Sequence, residues 1–301
     1  MTKVAVLMST YNGEKYLRQQ IDTILNQKGD FELKLFVRDD GSKDTTVDIL
    51  EEYKQKYDIE WYQGQNCGSA KSFMDLVENV SGFDYYAFAD QDDFWLEEKI
   101  ASGISKMSND EPELYCGNGM VVDENLGYSG NNVYKKKPST DFNTVSCAGG
   151  LLGCTMIYND KLLQVIKNHN NPDYMVMHDF YIALLCMGIG GKVYYDEVPY
   201  IKYRQHGANV VGVSRGILGK LKDRFNSILK KQKFSIQEQA KDIVDRYEDV
   251  ISTDNLQFLR KVSSYRKNMW TRLCLAMSMK TKYVNWNKCL TIRLAILFGN
   301  R

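Results

Sequence analysis

Four times in the first 107 residues a short apolar run gives way to a segment with apolar residues at helical spacing. Residues 4–8 lead into 14–27, which carries Leu17, Ile21, Ile24 and Leu25. Residues 33–37 lead into 45–57, with Val47, Ile49, Leu50 and Tyr53; 59–62 lead into 73–80, and 85–89 into 96–107. Strands that alternate with helices in this way build βαβ units, and these close into a mainly parallel sheet covered by helices. Asn12 and Ser42 stand between a strand and a helix, where an N-cap belongs, and are expected to cap. Beyond residue 107 the pattern is less regular, with strands expected at 114–122, 155–158 and 193–203 and helices at 161–167 and 179–187.

From residue 216 onward strand signals almost vanish. Residues 215–301 hold 19 Lys and Arg against 7 Asp and Glu, a balance of +12, whereas residues 1–214 carry −11. The asymmetry divides the chain into an acidic α/β body, residues 1–213, and a basic helical region, residues 214–301. Residues 216–233 put Ile217, Leu218, Leu221, Phe225, Ile228 and Leu229 on one helical face, with Lys220, Lys222, Arg224, Lys230 and Lys231 opposite; 236–251 and 254–279 are also expected to be helical. The face of 216–233 suits an anionic membrane surface, a second copy of the chain in a homodimer, or the α/β body itself. Trp270 and Trp286 fit a membrane-interface belt.

Several classes are excluded. The seven Cys are odd in number and none lies in a C-x-x-C pair, so neither a disulfide framework nor a thiolate zinc site is expected. The N-terminus runs directly into an apolar run too short for a signal peptide, and no stretch reaches the roughly 18 apolar residues of a membrane span. The expectation is a cytoplasmic chain. An acidic body without the aromatic-plus-basic pattern of RNA modules argues against nucleic acid.

Three of the first four strands end in polar clusters. They are Ser9-Thr10-Tyr11-Asn12, then Arg38-Asp39-Asp40-Gly41-Ser42, then Asp90-Gln91-Asp92-Asp93. Ligands of open α/β sheets bind beyond the carboxyl ends of the strands. Aspartates gathered there repel one another unless a cation or ligand donors intervene. Asp-x-Asp at a strand end suits a hard cation bridging a diphosphate, and it also suits helix capping. Asp39 and Asp40 fit a turn, or a carboxylate that accepts the N3–H of uracil or thymine. Trp95 is placed either on a sugar ring or in the core. Ala148-Gly149-Gly150 and Gly153-Cys154-Thr155 allow a close backbone approach or a tight turn.

Ser-Thr-Tyr-Asn-Gly (9–13), Asp-Asp-Gly-Ser-Lys-Asp-Thr (39–45) and Asp-Gln-Asp-Asp-Phe-Trp (90–95), in this order and spacing, resemble the family 2 inverting glycosyltransferases of GT-A fold. Met177-His178-Asp179 is similar to that family's acidic catalytic motif. Tyr203-Arg204-Gln205-His206-Gly207-Ala208-Asn209 is similar to a motif of its bacterial polysaccharide rhamnosyltransferase-like branch. The resemblance covers about residues 1–213 and implies a GT-A domain with a helical C-terminal extension. Its nucleotide-sugar part is about 1–110 and its acceptor part about 111–213. It implies Thr10, Tyr11, Glu14, Lys71 and Asp39 or Asp40 around the nucleoside, and Asp90 near ribose and metal. It further implies Asp92 and His206 on Mg2+ or Mn2+, Asp179 as general base, and His178 and Arg204 as secondary candidates.

What the resemblance implies is chemically coherent. A sugar leaves a nucleoside diphosphate as an acceptor hydroxyl attacks C1 from the opposite face, with no enzyme nucleophile. The branch implies L-rhamnose from dTDP-rhamnose and a lipid-linked saccharide acceptor on the inner face of the cell membrane. The alternatives are a UDP-hexose or UDP-N-acetylhexosamine transferase and a non-catalytic nucleotide-sugar-binding protein. A nucleotidyltransferase would want a glycine-rich basic loop where Ser9-Thr10-Tyr11-Asn12-Gly13 stands.

Overall fold

A computed structural model describes residues 1–206, 234–278 and 286–300. The chain forms two compact units. The first comprises Met1–Lys135, Leu152–Asn171 and Gly191–Val210, and the second Lys136–Leu151, Pro172–Gly190 and Val211–Arg301.

The first unit is built on one sheet. Its strands are β1 (Thr2–Thr10), β2 (Phe31–Asp39), β3 (Ile59–Gln63), β4 (Tyr85–Asp90), β5 (Phe94–Trp95), β6 (Glu113–Val122), β7 (Tyr128–Asn132), β8 (Ile157–Asn159) and β9 (Lys192–Arg204). They lie in the order β3-β2-β1-β4-β8-β6-β9-β5, with β7 paired to β6. Helices α1 (Leu17–Leu25), α2 (Thr46–Lys56) and α3 (Ser69–Asn79) make the first three crossovers. Strands β3, β2, β1 and β4 are parallel, as the alternation requires. Val4, Ala5, Val6, Leu7 and Met8 of β1 are wholly buried, because a central parallel strand is covered on both faces.

Past β4 the sheet is mixed. The short β8 runs antiparallel to both β4 and β6, while β9 returns parallel to β6. Helix α4 is only Lys99–Ile104, shorter than the expected 96–107; Phe94–Trp95 pairs with β9, and Leu96 N continues that pairing by donating to Tyr200 O. Trp95 is buried in the core, under the Lys99 ammonium at 3.5 Å from its ring centroid.

Asn12 and Ser42 do not cap the helices. The N-caps are Tyr16 and Thr45, neither with a side-chain cap bond. The two side chains instead tie the loops after β1 and β2 together. Asn12 N donates to Ser42 Oγ at 2.8 Å, and Lys43 N donates to Asn12 Oδ1 at 2.9 Å. Asn12 adopts φ 47, a left-handed conformation that asparagine tolerates better than most residues.

The second unit is helical in its described residues. It contains α5 (Phe142–Ala148), α7 (His178–Gly188), α8 (Ile236–Tyr247), α9 (Thr253–Ser264), α10 (Met269–Ser278) and α11 (Trp286–Leu297); α6 (Asp160–Lys167) belongs to the first unit. Tyr265–Lys267, a short 3-10 turn, divides the expected 254–279 helix. Buried Asp242 of α8 is the unit's polar anchor. It accepts from Asp173 N, Tyr174 N and Tyr181 Oη and pairs with Arg246. Gly149 closes α5 at φ 62, so the glycine pair of 149–150 serves a turn. The helix expected at 216–233 lies outside the described residues, and no helix among those described is long and apolar enough to cross a membrane.

Candidate active site

The strand order reverses between β1 and β4: from β1 the chain steps outward to β2 and β3, then returns to the other side of β1. Such a switch point opens a crevice at the carboxyl ends of the strands. The register aligns those ends. Thr10 is paired with Asp39, Asp39 with Gln63, and Ser9 with Asp90. Three of the motifs singled out in the sequence therefore meet along one edge of the sheet.

Asp39 is fully buried and organises the loop that follows it. Its carboxylate accepts from Gly41 N, Ser42 N, Ser42 Oγ, Gln63 Nε2 and, at 3.4 Å, Thr10 Oγ1. Asp40 faces the start of α3. Its Oδ1 accepts from Arg38 Nη1 at 2.6 Å and Cys67 N at 2.9 Å, and its Oδ2 accepts from Gly68 N at 2.8 Å. Burial raises the Asp40 pKa, but the Arg38 guanidinium and the two N–H donors outweigh it and hold the carboxyl below its ordinary value. Arg38 also donates to Asp75 Oδ2, Ser72 Oγ and Gln65 O, joining β2, α3 and the 64–68 loop.

Arg38 and Asp40 are both buried, with side chains 7% and 3% exposed. Asp75 still pairs with Arg38 when Asp40 is removed, so the loss is that of charge-assisted hydrogen bonds, at a cost of about 1.5–3 kcal/mol. Asp40→Ala is therefore expected to lower the melting temperature by roughly 3–12 °C. The folded-state pKa lies below the unfolded one, so this contribution is present at neutral pH. It is lost as pH falls below about 4 and on through the folded-state value. Melting curves of both proteins between pH 3 and 7 check this; a difference that stayed constant down to pH 3 would exclude the ion pair as its source.

The loops after β1 and β4 are clasped by a residue the motif reading passed over. Gln91 Oε1 accepts from Tyr11 N at 2.8 Å, while Gln91 Nε2 donates to Tyr11 O at 3.1 Å. A Cβ at Gly13 would sit 2.4 Å from Gln91 Oε1, so glycine leaves room for the clasp. The Tyr11 ring remains exposed. Glu14 lies on the outer side of this arrangement and braces the second loop, accepting from Thr45 N and Thr45 Oγ1. Lys71 is exposed in the first turn of α3.

The acidic loop after β4 is held from β9. Arg204 is buried; its N donates to Asp93 Oδ1 and its Nε to Asp92 O, at 3.2 and 2.7 Å. Its remaining nitrogens reach Glu124 O and Gln19 Oε1, and its guanidinium lies over the Tyr16 ring. Two residues on, His206 Nε2 is 2.7 Å from Asp92 Oδ2, with the imidazole tilted against Tyr16. The structure thus joins Asp92 and His206, which stand 114 positions apart in the sequence. Donor atoms of Asp90, Asp93 and Cys154 lie within 4.8 Å of one another beside this pair of motifs. Cys154 had no sequence signal linking it to Asp90. Burial first, and the Asp92 charge second, push the Asp93 carboxyl well above its usual range. Burial also pushes the Cys154 thiol up, so it enters neutral solution protonated.

This donor set fits a hard divalent cation. The Asp90 and Asp93 carboxylates are of the chemistry such a cation takes, with Asp92 and His206 paired beside them, and a cation there would relieve the Asp92 repulsion that adds to the effect of burial on Asp93. Asp179 belongs to the second unit, in the first turn of α7, where its Oδ1 accepts from Phe180 N at 2.6 Å. His178 beside it is buried, and burial lowers its pKa to about 3.

Comparisons with known proteins agree with this architecture. The sequence profile of Glycosyl transferase family 2 matches residues 5–167. The dTDP-rhamnosyl transferase RfbG of Shigella flexneri is 31% identical over 226 residues, covering 71% of this chain and 77% of that protein. An uncharacterized glycosyltransferase of Rickettsia typhi is 25% identical over 99% of this chain and 91% of its own length. Among solved structures, residues 1–349 of S. aureus TarS superpose with a TM-score of 0.58 at 17% identity, covering 99% of this chain and 89% of that one. The same TarS fragment in complex with UDP-GlcNAc gives 0.56 at 16% identity, covering 99% and 89%. With a profile match across more than half its length and a relative above 30% identity, this chain belongs to glycosyl transferase family 2 and is a glycosyltransferase.

Proposed function

We propose that the enzyme transfers L-rhamnose from dTDP-rhamnose, with inversion, to a lipid-linked saccharide acceptor of a cell-surface polysaccharide. The observation that carries the donor site is the pairing of Asp92 with His206 at 2.7 Å, beside the switch point at which Asp90 ends β4. The name of the S. flexneri relative supports the choice of rhamnose and of dTDP.

Asp90, Asp92 and His206 would hold Mg2+ or Mn2+, which supplies neutralisation of the charge that builds on a departing diphosphate. The rest falls to the protein's own groups. The exposed Tyr11 ring stacks on the base, with Thr10 beneath it. Asp40 reads the base N3–H, because its Oδ2 accepts a single backbone N–H, whereas the Asp39 oxygens take five donors of their own surroundings. Lys71 reaches toward the nucleotide, and Glu14 keeps the first loop closed against the second. Arg204 acts as a positioning residue that fixes the backbone of Asp92. Asp179 takes the proton of the acceptor hydroxyl. The division into a catalytic domain through residue 213 and a helical region from 214 is retained as a proposal.

A donor panel tests this reading. Nucleotide release is measured from dTDP-rhamnose, UDP-glucose, UDP-galactose and UDP-N-acetylglucosamine, with Mn2+ and with EDTA, in the presence of a saccharide-lipid acceptor mimic. Release and transfer from dTDP-rhamnose at least about tenfold above the other donors, abolished by EDTA, is the expected outcome. Preference for a UDP-sugar would replace rhamnose by that sugar. Full activity in EDTA would remove the cation.

A further inference from the structure

Helix α10 presents an apolar strip at its surface. Met269, Trp270, Leu273 and Met277 stand at i, i+1, i+4 and i+8 and fall within a strip of about 100° of the helix. All four are exposed, Met269, Trp270 and Met277 by 65%, 71% and 73%. The opposite side of the helix carries Leu275, which is buried, and Ala276 at the edge of the strip is buried too. The helix is thus apolar on both faces. A helix on a watery surface ordinarily turns polar groups outward. Helix α11, packed against α10, exposes Leu290 while burying Cys289, Ile292 and Ala295, and Phe298 just after it is exposed.

The charge of the segment that carries this face has one sign. The last acidic residue in the sequence is Asp254, and residues 255–301 hold ten Lys and Arg and no Asp or Glu. Lys267 and Arg266 immediately precede the apolar strip, Lys267 exposed and Arg266 half-buried. A second copy of this chain would bring the same cationic surroundings against its own, with no acid of that segment to pair with. An anionic bilayer complements both properties together, because its headgroups take the cations while Trp and Met side chains enter the boundary beneath them.

We propose that the exposed face of α10, with its cationic surroundings, is the surface by which this chain docks on an anionic membrane. The occupant is lipid, held by apolar insertion and by headgroup charge. The assignment goes beyond the transferase reading and stands on surface chemistry alone, whichever donor the enzyme takes. It adds a contact at α10 to the one expected of residues 216–233, which lie outside the described residues.

The test is flotation of the full chain with vesicles of neutral phosphatidylcholine alone and of the same lipid with about one third phosphatidylglycerol. Trp270→Ser/Leu273→Ser/Met277→Ser is run beside it. These side chains are exposed, so the variant is expected to keep its far-UV spectrum, melting temperature and rate of donor hydrolysis. The wild type should partition onto anionic vesicles at least about tenfold more strongly than onto neutral ones, and the triple variant should lose at least about tenfold of that binding. Lys267→Glu, which leaves the apolar strip intact, should weaken binding in proportion to the anionic lipid only. Equal flotation of the triple variant and the wild type overturns the proposal. So does a wild type that ignores both vesicles and is dimeric by light scattering, with the dimer lost in the triple variant; the strip would then be covered by a second copy. A triple variant that melts well below the wild type would show the strip covered by the chain itself, and likewise overturns it.

Discussion

Asp92→Asn is expected to lower sugar transfer by at least about a thousandfold, equivalent to roughly 4 kcal/mol of transition-state stabilisation. The substitution removes a charge and little else. The Asp92 backbone oxygen still accepts from Arg204 Nε, and Arg204 N still donates to Asp93, so the loop keeps its place. What changes is the side chain that meets His206 Nε2 at 2.7 Å. If Asp92 and His206 hold a divalent cation, Asn at 92 should weaken Mn2+ binding, measured by electron paramagnetic resonance, by at least tenfold. His206→Gln should cost about 10- to 100-fold, the usual scale for a group that supports or shares a metal site. Steady-state rates with saturating dTDP-rhamnose and a titration of Mn2+ separate two kinds of loss: one repaired by more metal, and one that is not. Asp92→Asn turning over within tenfold of the wild type would refute the metal role. A variant that lost activity with unchanged Mn2+ affinity would assign Asp92 to the substrate instead.

The strand ends were legible in the sequence because each motif is local. A run such as 85–89 followed at once by Asp90-Gln91-Asp92-Asp93 declares both a buried strand and the polar edge beyond it. The parallel order of β1 to β4 follows from the helices between them. Distance along the chain sets the limit of such reading. The pairing of His206 with Asp92, and the approach of Cys154 to Asp90 and Asp93, depend on β8 and β9 joining the sheet, which no local pattern encodes. The same is true of Gln91, whose partner is a backbone amide 80 residues away. Asn12 and Ser42 failed as caps for a related reason. Their type suits any loop that must satisfy stranded N–H groups, and here another loop was nearer than a helix end. β5, β7 and α5 are too short to carry a period. In α10 the periodicity announces a helix, but apolar residues on both sides conceal which face is buried.

The second large effect is expected at Asp179. Asp179→Asn should reduce transfer by about a hundred- to ten-thousandfold while leaving donor and Mn2+ affinity within twofold, because a general base acts on the acceptor alone. Its position makes the experiment clean. In the first turn of α7 the side chain already accepts from Phe180 N at 2.6 Å, a bond that an amide oxygen can replace. The variant should therefore melt within a few degrees of the wild type, since the carboxylate's interaction with the helix dipole is worth about 0.3–1 kcal/mol. The pH profile adds an independent reading. A base must be deprotonated to act, so wild-type activity falls as pH drops below its pKa. His178 is adjacent, but burial holds its pKa near 3, and it stays neutral throughout the assay range. An acidic limb in the rate profile then does not come from His178, and if it comes from Asp179 the residual activity of Asp179→Asn should lose that limb. A variant that keeps both the limb and more than about a tenth of the rate would place the base elsewhere. Loss of rate together with loss of donor binding would instead make Asp179 a substrate-holding residue, since uniform binding and proton transfer separate in the ratio of kcat to KM.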